Sequence, residues 1–210
     1  MGTKVLIADD HELFRSGLRQ LVIDELGAEE VREAETLDQA IESLTADGAG
    51  DLILVDLRMP GMSGAEALAA LRDGFPDAKV AVVSAWEERA EIFAALGAGV
   101  HGYIPKSLPS SEIAAALKSI LAGGIFVPAA IGKREPGAPV EPGVTTSSIT
   151  SGDKLTLRQK EVLNELLKGH SSKEIARTLS IAEGTVKIHL AAIYRALGVR
   201  TRAEAIAKLK

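Results

Sequence analysis

Four apolar runs in the first half of the chain each end in a residue able to do polar chemistry. Val5-Leu6-Ile7-Ala8 runs into Asp9-Asp10, Leu52-Ile53-Leu54-Val55 into Asp56, Val80-Ala81-Val82-Val83 into Ser84, and Val100-His101-Gly102-Tyr103-Ile104-Pro105 into Lys106. Short apolar runs bounded by turn residues read as strands buried on both faces. With a further run at 30–34 they alternate with helical patterns near 12–25, 37–46, 64–73, 87–97 and 110–122. This alternation predicts an α/β domain, a doubly wound five-stranded parallel sheet with helices on both faces. Ligands of such sheets gather outside the carboxyl ends of the strands, where the four polar endings would meet.

The chain divides by composition. Residues 133–152 read KREPGAPVEPGVTTSSITSG, with no apolar periodicity to bury, and are expected to be a flexible linker between domains at 1–132 and 153–210. The first domain carries 10 Lys/Arg against 21 Asp/Glu and the second 12 against 6. An acidic domain suits divalent cations and a basic one suits phosphate backbones. Cysteine is absent, which excludes disulfides and thiol chemistry. The four histidines are far apart without paired ligand spacing, so no zinc or iron site is assigned. No signal-peptide pattern or membrane-length apolar run is found, and a soluble cytoplasmic protein is expected.

Asp9, Asp10 and Asp56 held together would repel one another unless a divalent cation sits among them. Mg²⁺ is the natural candidate, because it accepts one or two carboxylates, keeps waters and binds phosphoryl oxygens. An Asp carboxylate can be phosphorylated to an acyl phosphate, and Lys106 and Ser84 would partner the new oxygens. Each residue alone also has an ordinary role, Asp10 as a helix cap, Asp56 as a turn former, Ser84 as a strand-end polar group, Lys106 as a solvated charge. Their arrival at four strand ends favours chemistry.

Asp9-Asp10, Asp56 within DLRMPGMSG, Ser84-Ala85 and GYIPK ending at Lys106 resemble the signature of bacterial two-component receiver domains over roughly residues 3 to 122. The resemblance implies a flavodoxin-like sheet in which Asp56 takes phosphate from a histidine kinase. It further implies Mg²⁺ on Asp9, Asp10, Asp56 and the backbone carbonyl of Arg58, with Ser84 and Lys106 on the phosphoryl group. Tyr103 matches a position whose ring turns inward on activation, and it also fits a half-buried strand aromatic. Arg58 is an unusual occupant of its position, and its cation over the site would alter phosphate lifetime.

In the second domain Thr156 with Gln159, Ser171 with Glu174, and Thr201 with Glu204 are capping-box pairs, and Gly169 and Gly198 are helix stops. Four helices are expected near 157–168, 172–179, 183–197 and 202–209, the middle two at helix-turn-helix spacing. On the third, Val186, Leu190, Ile193 and Leu197 form the core stripe. Lys187, Ile188, Ala191 and Arg195 lie on the opposite, expected open, face. LTLRQKEVLNELLKGHSSKEIARTLSIAEGTVKIHLAAIYRALGVRTRAEA resembles the LuxR-type DNA-binding domain, and the whole chain a NarL/FixJ-type response regulator. By that match Lys187, Ile188 and Ala191 face the major groove and Thr185 and His189 lie near phosphates; Arg195, farther along the same face, is expected to touch the DNA backbone. Lys187 also fits a solvated charge, and His189 a helix-packing residue. Operator DNA, a homodimer formed on phosphorylation and RNA polymerase are the implied partners.

Two other classes fit parts of the pattern. A phosphoaspartyl hydrolase of haloacid-dehalogenase type also uses Asp, Mg²⁺, Ser and Lys, although its D-x-D differs from adjacent Asp9-Asp10; turnover of small phosphate esters discriminates. A signalling scaffold would use the C-terminal module to bind protein.

Overall fold

The computed structural model describes residues 2–129 and 155–209; the expected linker at 133–152 lies outside them. The first domain runs β1 (Thr3–Ala8), α1 (Glu12–Leu26), β2 (Ala28–Ala34), α2 (Leu37–Asp47), β3 (Leu52–Val55), α3 (Ala65–Gly74), β4 (Lys79–Ser84), α4 (Arg89–Gly97), β5 (Gly102–Pro105) and α5 (Ser110–Leu121). The second holds α6 (Leu157–Leu167), α7 (Ser172–Leu179), α8 (Glu183–Leu197) and α9 (Arg202–Leu209). All strand pairs are parallel and the order is β2-β1-β3-β4-β5. Among the described residues no helix is long and apolar enough to cross a membrane.

Strand alternation splits the domain core in two. Leu6, Ala8, Ile53, Val55, Val80, Val82 and Tyr103 pack with α2, α3 and α4. Val5, Ile7, Leu52, Leu54, Ala81, Val83 and Ile104 face α1 and α5. With both faces covered, the strands must be apolar throughout, which is why they read as continuous runs. Three boundaries differ from expectation by two residues, one of them α4, which starts at Arg89 instead of 87. β2 starts at Ala28 because its register with β1 begins at Thr3, and β5 starts only at Gly102. Beyond α5, Phe126 pairs with Gly102 at the β5 edge.

In the second domain Val162, Leu166, Ile175, Val186, Leu190, Ile193 and Ala205 form a separate core. Thr156 and Ser171 make complete capping boxes. Thr201 also caps, accepting the Glu204 N–H, while the Glu204 carboxylate reaches back to the backbone N–H groups of Arg200 and Thr201. The N-cap of α8 is Ala182, in extended geometry with no side-chain acceptor. Ala182→Ser is therefore expected to stabilise the protein by about 0.5–2 kcal/mol, read as a raised denaturant midpoint for the C-terminal transition. An unchanged midpoint would show that the first-turn N–H groups are already satisfied.

Candidate functional site

The strand ends meet as the sequence predicts. Asp9 and Asp56 are only 2% and 3% exposed, at the exits of β1 and β3. Lys106, following β5, donates a 2.8 Å hydrogen bond to Asp56 Oδ2. Its ammonium lies 2.7 Å from Asp9 Oδ2 as an ion pair without hydrogen-bond alignment. It also sits 4.7 Å from the Phe14 ring centroid. Ser84 is fully buried at the end of β4, with its Oγ accepting the Trp86 N–H. Tyr103 is fully buried too, its hydroxyl donating to the Trp86 carbonyl, and burial raises its pKa. Thus the ring lies inward. Asp10 does not cap α1, whose N-cap is His11, so its carboxylate stays with the cluster.

His11 was not placed in this site from the sequence. Its Nδ1 lies 2.9 Å from Asp10, 3.3 Å from Asp9 and 3.8 Å from Asp56. Ligand atoms of Asp9, Asp10, His11 and Asp56 all fall within 4.8 Å of one another. The one available signal was adjacency to Asp9-Asp10. Three carboxylates, with Asp9 Oδ2 buried and lacking an aligned donor, fit a hard divalent cation.

Arg58 departs from expectation. Its N–H reaches Asp56 Oδ1 at 3.3 Å. Its guanidinium, however, bonds Glu91 on α4 and stacks 4.6 Å from the Trp86 centroid. A carboxylate and an aromatic face hold this cation better than water above Asp56 would.

The larger correction concerns α8, whose expected open face is closed by the first domain. Ile188 and Ala191 join the buried cluster of Leu37, Leu68, Leu71 and Phe75. Thr185 Oγ1 bonds Ser63 Oγ at 2.8 Å, and Lys187 Nζ pairs with Asp38 at 2.6 Å. Arg195 bonds the Gly74 carbonyl and lies 4.7 Å from the Phe75 centroid, its pKa lowered by burial. Arg158 of α6 adds a 3.6 Å pair with Glu66. A signal existed in the sequence: Ile188, Ala191 and Ala192 make α8 apolar on two sides, and a helix apolar all round is a buried one.

His189 is 4% exposed, so the packing role describes it here. Its Nδ1 has no partner, and burial, reinforced by the Arg158 charge, lowers its pKa from 6.5 to about 4. The sign follows directly. An unfolded chain binds the proton more readily between these values, so stability is present above pH 6.5 and lost as pH falls towards 4. At pH 4.5 the loss should be about 2–3 kcal/mol. The test is whether the drop in urea midpoint from pH 7.5 to 4.5 shrinks in His189→Gln relative to the native protein; equal drops would contradict it.

Residues 5–118 match the response regulator receiver domain, and residues 153–209 match the LuxR family of bacterial regulatory proteins. The chain is 38% identical to the glycerol metabolism activator of Pseudomonas putida, over 97% of this chain and 93% of that protein. It is 36% identical to the nitrate/nitrite response regulator NarP of Escherichia coli, over 96% and 92%. Among solved structures, the receiver domain of the NarL response regulator from Mycobacterium tuberculosis is similar at 34% identity and a TM-score of 0.53, covering 58% of this chain and 98% of that one. Salmonella typhimurium RcsB, at 22% identity and a TM-score of 0.58 over 99% of both chains, shares the fold. Neither the hydrolase nor the scaffold class finds support in these matches. With its converged strand ends and its capped helix-turn-helix, the chain belongs to the two-component response regulators that carry a LuxR-type DNA-binding domain.

Proposed function

We propose that Asp56 is the phosphoacceptor of this regulator and that the structure, with α8 docked on the first domain, is a closed form in which Tyr103 already lies inward. The reading rests above all on the 2.8 Å contact of Lys106 with Asp56 at the point where four strand ends converge. An Asp56 carboxylate oxygen attacks the phosphorus of a kinase phosphohistidine, the P–N bond breaks, and the imidazole leaves with a proton. Lys106 and Ser84 then bond the phosphoryl oxygens. Mg²⁺ on Asp9, Asp10, Asp56 and the Arg58 carbonyl would neutralise charge on the incoming group. The protein acts as acceptor, with no turnover beyond loss of its own phosphate. We read the receiver as 1–132, the linker as 133–152 and the DNA-binding domain as 153–210.

The segment after Asp56 links chemistry to output. It carries Gly61, with φ of +87°, and Ser63, both against α8. A shift of this segment on phosphorylation would weaken the α8 contacts and free Thr185, Lys187, Ile188, Ala191 and Arg195 for operator DNA, with Lys187 exchanging Asp38 for a base edge. The freed protein would bind two half-sites as a dimer and present itself to RNA polymerase in the cytoplasm. Genomic footprinting with and without acetyl phosphate and Mg²⁺ tests the reading. Operator protection should require phosphorylation; equal protection in both states would overturn the closed form as a control.

The Arg58–Glu91–Trp86 arrangement bears on phosphate lifetime. Glu91→Gln releases the guanidinium toward the acyl phosphate and should slow its hydrolysis, whereas Arg58→Asn, which removes a cation already held on Glu91 and Trp86, should leave decay near the native rate. Identical decay of the phosphorylated species in both variants would show that this side chain does not reach the phosphate.

A further inference from the structure

The cation pocket is supported from below by a buried charge that the phosphoryl chemistry does not use. Arg15, in the first turns of α1, is 7% exposed, and its fork is fully engaged. Nη1 donates to the Asp9 carbonyl at 2.6 Å, Nε to Glu33 at 3.0 Å and Nη2 to Glu35 at 3.0 Å. Glu33 lies in β2 and Glu35 just past its end, so three elements are tied to one guanidinium. Burying such a group costs desolvation that ion pairing alone often fails to offset, and fixing local geometry is one way such a group contributes.

We infer that Arg15 is a positioning residue for the divalent-cation pocket, fixing the Asp9–Asp10 peptide so that both carboxylates point at Asp56. The other restraints on this turn act on its N–H and side-chain groups: the Asp9 N–H donates to the Ala34 carbonyl, Asp9 Oδ1 accepts the His11 N–H, Lys106 pairs with Asp9 Oδ2, and His11 Nδ1 lies 2.9 Å from Asp10 Oδ1. Among the described residues only Arg15 is seen to hold the carbonyl, and rotation of that peptide would swing Asp10 out of the cluster. A planar five-donor fork meets three acceptors in fixed directions, and a lysine ammonium cannot. This inference rests on the proposed metal role of Asp9, Asp10 and Asp56.

The test uses Mn²⁺ as probe, with free ion followed by electron paramagnetic resonance on the full chain at physiological salt. Removing a positive charge beside an acidic pocket would by itself tighten cation binding. Positioning predicts the reverse: Arg15→Met should bind Mn²⁺ about tenfold more weakly, as for other outer-shell partners of metal ligands. Arg15→Lys should recover only part of the loss. Glu35→Gln, on an exposed side chain that tolerates change, should weaken binding by a smaller factor. Equal or tighter binding in Arg15→Met, or full recovery by Arg15→Lys, overturns the inference, and a lowered melting temperature with unchanged affinity assigns Arg15 to stability alone. If the native chain binds no Mn²⁺ that Asp10→Asn weakens, the pocket reading itself fails, and the role of Arg15 falls with it.

Discussion

Gly184→Ala should bind operator without phosphorylation. A Cβ at this position would collide with the Gly61 carbonyl oxygen and come within 2.9 Å of Leu37 Cδ2. The oxygen belongs to backbone in the acceptor segment, which cannot turn aside as a side chain would. Within α8 itself alanine is the better residue, by about 1 kcal/mol. The substitution therefore acts against the closed form and leaves the helix sound. Overpacking of this kind costs about 1–3 kcal/mol, which moves the closed-to-open ratio by roughly five- to 150-fold. Titration of operator DNA with unphosphorylated protein should show affinity rising by that factor, with little change in the phosphorylated state. Because Gly184 also lies in the first turn of α8, the end that the proposed mode of operator binding would bring to DNA, Asp38→Lys serves as the receiver-side counterpart. It breaks the pair with Lys187 without touching the DNA surface, and should move affinity the same way by less, since exposed pairs contribute little. No gain in either variant would mean that the α8 contacts do not limit DNA binding.

Asp56→Asn should abolish phosphoryl transfer from acetyl phosphate or a kinase. The amide keeps the shape of the site but loses the nucleophilic oxyanion and the charge that pairs with Lys106. Operator binding should then stay at the resting level whatever the donor, while mass spectrometry of the native protein finds the added phosphate on Asp56 alone. Labelling of the variant at native stoichiometry would sink the assignment. Combining the two substitutions separates acceptor from output: Gly184→Ala should bind DNA even with Asn at position 56, because steric opening needs no phosphate.

Much of this was legible in the sequence because it is local or follows from topology. A strand buried on both faces must be apolar along its length, and a parallel sheet brings every strand's carboxyl end to one edge. Asp9, Asp56, Ser84 and Lys106 were therefore predictable as neighbours from four separate runs. Helix limits such as Thr156, Ser171 and Gly198 were readable because capping is settled within a few residues.

What the tertiary structure decided involves partners with no periodic relation in the chain. Whether Arg58 pointed at Asp56 or at Glu91 depended on α4 lying alongside, and the engagement of Arg15 with Asp9, Glu33 and Glu35 depended on α1 crossing the end of β2. The same holds for α8. Its period-3.6 pattern identifies the stripe that meets its own domain, but Ile188, Ala191 and Thr185 look alike whether they await DNA or another protein surface. Only the docked structure shows that they cover α2 and α3, because the complementary surface is formed by residues more than a hundred positions away in the chain.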